Sequence, residues 1–266
     1  DRVFAVDARL GGRIVTFSLG GRNILTGPEI EPANYGSTFW SSPQSDWGWP
    51  PPPEIDGAPY SARIDGATLV LSGASAPVLG LGVDKAFSVD RQTGTVTVSY
   101  TLSNRGHQVR QAAPWEISRV AAGGLTFFPM GEGGPRQGMQ DLLKPVVRDG
   151  VAWFAYDAAA ITADQKLFAD GREGWIAHVD GDLLLVKSFA DTAPAQAAPG
   201  EGEIEIYANA AHTYVEVENQ GAFVALGPGE ASTWTVRWAL RRLDLEATPA
   251  KVGSQGLLDL VREVAR

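Results

Sequence analysis

The chain contains no cysteine among its 266 residues, which removes disulfide frameworks, thiolate metal sites and cysteine nucleophiles together. Histidine is scarce as well. His107, His178 and His212 are the full set, and none has a second histidine or a carboxylate at zinc-motif spacing. No metal site and no cofactor are therefore expected. A Gly-x-Ser-x-Gly nucleophile elbow, a phosphate-binding loop and a dinucleotide fingerprint are also missing. Cations are in deficit: 22 Lys and Arg against 31 Asp and Glu leave a net charge of −9, which repels a phosphate backbone or an anionic membrane surface. Nucleic acid is not an expected partner. No apolar run reaches the roughly 18 residues of a membrane helix, and Leu183-Leu184-Leu185-Val186 is only strand-sized. The chain begins at Asp1, which fits either a periplasmic or secreted protein after signal-peptide removal or a trimmed start.

What the chain does have is 44% hydrophobic residues, enough for a sizeable core, punctuated by 31 Gly and 17 Pro. Many short elements joined by turns are expected. Period-2 alternation marks strands at 95–102, where Val96, Val98, Tyr100 and Leu102 share a face, at 203–207 and at 232–238. Further strands are expected at 13–19, 67–72, 151–156, 174–179 and 183–189. Leu19-Gly20-Gly21, Asp65-Gly66, Asp149-Gly150 and Asp180-Gly181 fall between strands, as hairpin turns require. Helical spacing appears only at the C-terminus, where Ser254 precedes Leu257, Leu258, Leu260, Val261 and Val264. The pattern predicts an all-β fold, one antiparallel sandwich or barrel over residues 1–266, with a helix at about 254–265 packed on a sheet edge.

Three segments carry candidate chemistry. Between Asn34 and Tyr60 lie Tyr35, Phe39, Trp40, Trp47 and Trp49, interleaved with Asn34, Ser41, Ser42, Gln44 and Asp46. Indole faces ringed by amides and carboxylates suit the apolar C–H face and hydroxyl rim of a sugar. The same aromatics would also serve simply to pin an irregular loop. In Tyr214-Val215-Glu216-Val217-Glu218-Asn219-Gln220, alternation places Tyr214, Glu216, Glu218 and Gln220 on one face. Two like charges side by side raise one carboxyl pKa and fit it for proton transfer, unless the face is merely solvated. In Pro114-Trp115-Glu116-Ile117-Ser118-Arg119-Val120, Glu116 goes with Ser118, whereas Arg119 shares a face with Trp115 and Ile117. An Arg so placed needs a carboxylate or a ligand.

These segments, in this order, resemble the galactose mutarotase-like superfamily. The likeness begins at Gly11-Gly12-Arg13-Ile14 and Asn23-Ile24-Leu25. It continues through Pro43-Gln44 to Trp47-Gly48-Trp49-Pro50, Asn104, and Pro114 to Arg119, and ends with Leu226-Gly227-Pro228-Gly229-Glu230 and Trp234 to Trp238. It covers most of residues 10–240 and is closest to a branch with the same Pro-Gln…Trp-Gly-Trp-Pro and Pro-Trp-Glu-Ile signatures. The resemblance implies a large antiparallel β-sandwich that binds a small-molecule or oligosaccharide carbohydrate on its concave face. Aldose 1-epimerases are similar in using a Glu base followed two residues later by Gln, a spacing matched by Glu218 and Gln220. A His then protonates the ring oxygen while the base takes the anomeric proton, so that ring opening exchanges anomers. The two His motifs of those enzymes are absent here, so His178 would fill the acid role only by convergence. The implied catalytic set is Glu218, Glu216 and His178, and the implied sugar-binding set is Asn34, Trp40, Gln44, Trp47, Trp49, Glu116, Arg119 and Gln220. A non-catalytic sugar-binding module, or a hydrolase or lyase on the same fold, remains the alternative.

Overall fold

A computed structural model describes residues 1–140 and 143–266. Two antiparallel sheets of ten strands each face one another across an apolar core. The first sheet runs Arg2–Asp7, Arg13–Leu19, Ser37–Ser42, Arg110–Ala121, Tyr214–Gln220, Ile204–Ala208, Gln165–Ala169, Arg136–Met139, with the short strands Arg22–Asn23 and Val224–Leu226 attached beside it. The second runs Val146–Arg148, Val151–Ala155, Leu125–Pro129, Trp175–Asp180, Leu183–Phe189, Ala231–Arg242, Val96–Asn104, Leu81–Val89, Thr68–Ala76, Ser61–Asp65.

The alternating segments fall where their patterns place them. In Val96–Asn104 the even residues are buried and the odd ones half-buried, because one face meets the opposite sheet. Asp149 and Gly150, at φ 53° and 74°, turn Val146–Arg148 into Val151–Ala155. The Trp-rich segment departs from the expected irregular loop. Its first part, Ser37–Ser42, is a wholly buried strand paired in register with Arg110–Ala121, since Phe39 and Trp40 each have an apolar surface to cover. A single helical turn, Pro53–Asp56, follows. The C-terminal helix, Gln255–Ala265, lies on the outer face of the second sheet and not at an edge. Leu257, Leu258 and Val261 there cover Trp153, Ala177, Leu184 and Val186, a second apolar layer that an edge position would leave wet.

Between the sheets, charge is buried in pairs. Glu116 accepts from the Tyr100 hydroxyl at 2.6 Å and the Trp238 indole at 3.2 Å, and meets the Lys187 ammonium at 2.9 Å. Lys187 also donates to Ser118 and to the Val217 carbonyl. Burial pulls the Lys187 pKa down, and Glu116 opposes that loss. Glu116 thus belongs to the core, contrary to its expected sugar-binding role, because the parity of its strand turns it inward.

Removing one partner of such a pair strands the other charge, at a cost of about 3–5 kcal/mol. Lys187→Met should lower unfolding stability in urea by that amount, and the Glu116→Leu/Lys187→Met double variant should recover most of it. A single variant within about 0.5 kcal/mol of the parent, the scatter of an inert surface change, would show that the pair does not clamp the sheets.

Candidate functional site

The outward face of the first sheet is built by four neighbouring strands. Register sets Glu216 opposite Arg119, Glu218 opposite Ile117 and Gln220 opposite Trp115, so all six side chains share that face. On the next strands alternation adds Glu205 and Tyr207, then Lys166 and Phe168. Of these, Trp115, Lys166, Phe168, Tyr207 and Glu216 line a cavity of about 670 Å³.

Trp40, Trp49 and Trp115 border this cavity with their rings edge-to-face, Trp40 lying 5.8 Å from Trp49 and 5.3 Å from Trp115. Trp49 is 61% exposed and Trp40 only 4%, so Trp49 is the ring a ligand meets from solvent. The Trp40 indole donates to Asp56, which fixes its plane. Asn34, Gln44, Asp164, Glu201, Tyr207 and Tyr214 supply the polar rim. Asn34 donates to the Tyr214 hydroxyl at 3.2 Å, and Glu201 accepts from the Gln44 backbone amide at 2.9 Å.

Beneath the cavity the charges alternate. Lys166 meets Glu218 at 2.5 Å and Glu205 at 2.8 Å. Glu218 accepts from the Trp115 indole through its other oxygen, and Glu205 accepts from Gln220 at 2.6 Å and from the Gly202 amide. Arg119 pairs with Glu216 at 2.9 Å, donates to Thr38 and lies near the rings of Trp40 and Tyr214. Burial would lower the Lys166 pKa, but Glu205, Glu218 and Glu216 outweigh it and hold the ammonium charged. Burial raises the Glu216 carboxyl, with Arg119 pulling the other way and Glu218 adding to the rise. Burial likewise raises the Glu205 carboxyl, with Lys166 pulling the other way.

Asn34, Trp40, Gln44, Trp49 and Glu216 therefore line one cavity, with Arg119 held beside it by Glu216. Other expected site residues do not reach it. Glu218 and Gln220 lie one layer below, with Glu218 engaged by Lys166 and Trp115 and Gln220 by Glu205. Trp47 packs edge-on against Trp40 and donates to the Ser41 carbonyl, away from the opening. His178 is fully buried on the second sheet, its Nδ1 2.9 Å from the Thr126 hydroxyl. Burial depresses its pKa to about 3, so it stays neutral and cannot meet a ligand in the cleft as an acid. His212 hydrogen-bonds Tyr156 in an exposed turn.

The sequence reading passed over Lys166, Glu205, Tyr207 and Phe168 as site residues. The signal was present. Ile204 and Ile206 alternate with Glu205 and Tyr207, and Leu167 separates Lys166 from Phe168. Among the described residues no group of three His, Asp or Glu side chains converges to hold a metal ion, and no helix is long and apolar enough to cross a membrane.

The family described as a domain of unknown function, DUF4380, matches residues 2–241. The chain belongs to the DUF4380 family. No curated protein matches it in sequence. Among solved structures, the DUF4380 chain is similar to a galactose mutarotase-like protein from Lactobacillus casei ATCC 334. The two share 10% identity and a TM-score of 0.60 over 91% of this chain and 100% of that one. It is also similar to a candidate aldose 1-epimerase from Klebsiella pneumoniae, with 10% identity and a TM-score of 0.63 over 99% and 81% of the two chains. A second candidate aldose 1-epimerase, from Escherichia coli K12, matches with 12% identity and a TM-score of 0.56 over 91% and 99%. The DUF4380 chain therefore has the galactose mutarotase-like sandwich fold; at this identity the likeness extends to the fold alone.

The position of His178 has a pH consequence. Its pKa is about 3 when folded and about 6.5 when unfolded, so the unfolded chain binds more protons between those values. Its contribution to stability should therefore fall as pH drops from about 6.5 towards 3, by up to about 1.4 kcal/mol per pH unit. Urea unfolding at pH 7 and pH 5 should show a shallower loss for His178→Asn than for the parent. Titration of the His178 imidazole by NMR between pH 5 and 8 would contradict the burial.

Proposed function

We propose that the DUF4380 chain binds a carbohydrate in the cleft on the outer face of its first sheet. One observation carries the reading: a cavity of about 670 Å³ walled by Trp40, Trp49 and Trp115 and ringed by mixed donors and acceptors. Trp49 offers an exposed, C–H-compatible indole face backed by the buried Trp40 and Trp115, while Asn34, Gln44, Tyr207, Tyr214 and Glu216 offer the hydrogen-bond partners that hydroxyls need. Cavities of this size hold small organic ligands. In solution, Trp49→Ala should weaken the binding of whichever monosaccharide the protein takes by about tenfold, on the scale of 1–2 kcal/mol for an aromatic contact. The measurement is calorimetric titration with glucose, galactose, mannose and xylose, and unchanged affinity in the variant would remove the aromatic wall from the site.

Anomer exchange is the second reading, favoured by the raised carboxyl of Glu216 inside the cleft. Here Glu216 takes the anomeric hydroxyl proton and passes it to the ring oxygen as the bond from that oxygen to the anomeric carbon breaks. The same transfers run backwards when the ring recloses on the other face. Arg119 holds the Glu216 carboxylate in place, and Lys166 donates a hydrogen bond towards the ring oxygen. Glu218, with both oxygens engaged, positions Lys166 and Trp115. Proton NMR exchange between anomers should then slow by about 10²–10⁴-fold in Glu216→Gln with sugar affinity nearly unchanged. An equal loss confined to Glu218→Gln would move the base to Glu218. Binding without exchange above the spontaneous rate would leave a non-catalytic sugar-binding protein.

A further inference from the structure

The cleft does not end at the main cavity. A second compartment of about 420 Å³ adjoins it, and Phe168, Gly200 and Glu201 form walls of both. Its far side is made by Glu132, Asp170, Pro194 and Ala197. Arg136 stands at the junction. Its guanidinium lies 4.6 Å from the Phe168 ring centroid and donates to the Gly200 and Glu201 carbonyls at 3.0 and 2.9 Å. This ties the strand Arg136–Met139 to the loop that both compartments share. Gly138 allows the close approach, because a Cβ there would fall 1.9 Å from the Phe168 ring. At Gly133, Gly134 and Gly200 a Cβ would meet nothing within 4 Å, so the walls are bare backbone facing open space.

We infer that the DUF4380 site takes a glycan of at least two linked neutral sugars, with one ring among the tryptophans and the next in the compartment beyond Phe168. The inference rests on the carbohydrate reading above. Two compartments joined along one sheet face suit a ligand longer than a single ring, and an aromatic edge at their junction is where a linked chain passes. The chemistry of the second compartment matches hydroxyls. It has backbone amides and carbonyls, one guanidinium, and the carboxyl groups of Glu132, Asp170, Glu201 and Glu203. Four carboxyl groups against one cation disfavour an anionic substituent, so a neutral second ring is favoured over a phosphorylated or uronic one.

The test uses calorimetry with two matched sets of probes: glucose, galactose, mannose and xylose, and the disaccharides maltose, cellobiose, lactose, mannobiose and xylobiose. At least one disaccharide should bind about tenfold more tightly than either component sugar, the gain expected from one or two further net hydrogen bonds. Ala197→Trp fills the second compartment without touching the main cavity, since Ala197 borders only the former. It should abolish the gain and leave monosaccharide affinity within about twofold, well under the tenfold step of 1.4 kcal/mol. If the indole prevents folding, Ala197→Phe serves the same purpose. Equal affinity for single and linked sugars overturns the inference while the carbohydrate reading stands, and so does a gain that survives Ala197→Trp. Failure of every probe to bind removes the carbohydrate reading, and the inference with it.

Discussion

The ion pair of Glu116 with Lys187 is the constraint on which the site depends. Both groups are fully buried between two sheets, where an isolated charge would cost several kcal/mol. The pair is tolerable because Tyr100, Trp238 and Ser118 complete its hydrogen bonds. It also settles which way the strand Arg110–Ala121 faces. With Glu116 held inward, Trp115 and Arg119 must point outward, since successive side chains alternate. A slip of one residue would turn Arg119 in between the sheets and the anchor out to the other face. The neighbouring strand Tyr214–Gln220 pairs with it residue by residue, so the same constraint aims Glu216 and Glu218 at the outer face.

On that outer face a second charge layer is built by the same logic, at the boundary with solvent. Glu205, Lys166 and Glu218 form a buried triad, with Arg119 and Glu216 beside it. Each cation is matched by at least one carboxylate, so the floor offers directed donors and acceptors but little free positive charge. In that floor Glu205, Lys166, Glu218 and Arg119 are each held by at least two partners, and Glu216 is held by Arg119. A ligand that replaces none of these bonds, and adds its own to Asn34, Gln44 and Tyr207 at the rim, finds the site already organised.

The Gly11-Gly12 pair shows the same economy elsewhere. Both residues have φ near 60°, which lets their carbonyls turn onto the buried Lys85 ammonium at 2.6 and 3.3 Å. A Cβ on Gly11 would fall 2.1 Å from the Asp56 carbonyl oxygen. Lys85 has aromatic neighbours in Phe39, Tyr60 and Tyr100, and burial lowers its pKa to about 7. Asp56, beside this turn, also receives the Trp40 indole and the Arg13 guanidinium. The early glycine turn is thereby connected to the wall of the cleft.

What the sequence determined by itself was whatever depends on neighbours along the chain. Alternation in Val96–Asn104 and Tyr214–Gln220 set which residues share a face, and glycine-bearing turns set where Val151–Ala155 and Leu183–Phe189 begin. It even sorted Glu116 from Arg119 correctly, because parity is local. It could not tell which of the two faces was the core and which the cleft, since both carry charge. That was decided by Lys187, 71 residues after Glu116 in the chain and opposite it in space. Ser37–Ser42 read as loop for a related reason: its polar residues are satisfied only by pairing with Arg110–Ala121. His178 looked available because a strand pattern cannot show that the second sheet turns it inward onto Thr126. Lys166 became a site residue only when Gln165–Ala169 was paired beside Ile204–Ala208, which brought its ammonium between two carboxylates. Local periodicity fixes faces, whereas burial and charge pairing are properties of two strands brought together by the rest of the chain.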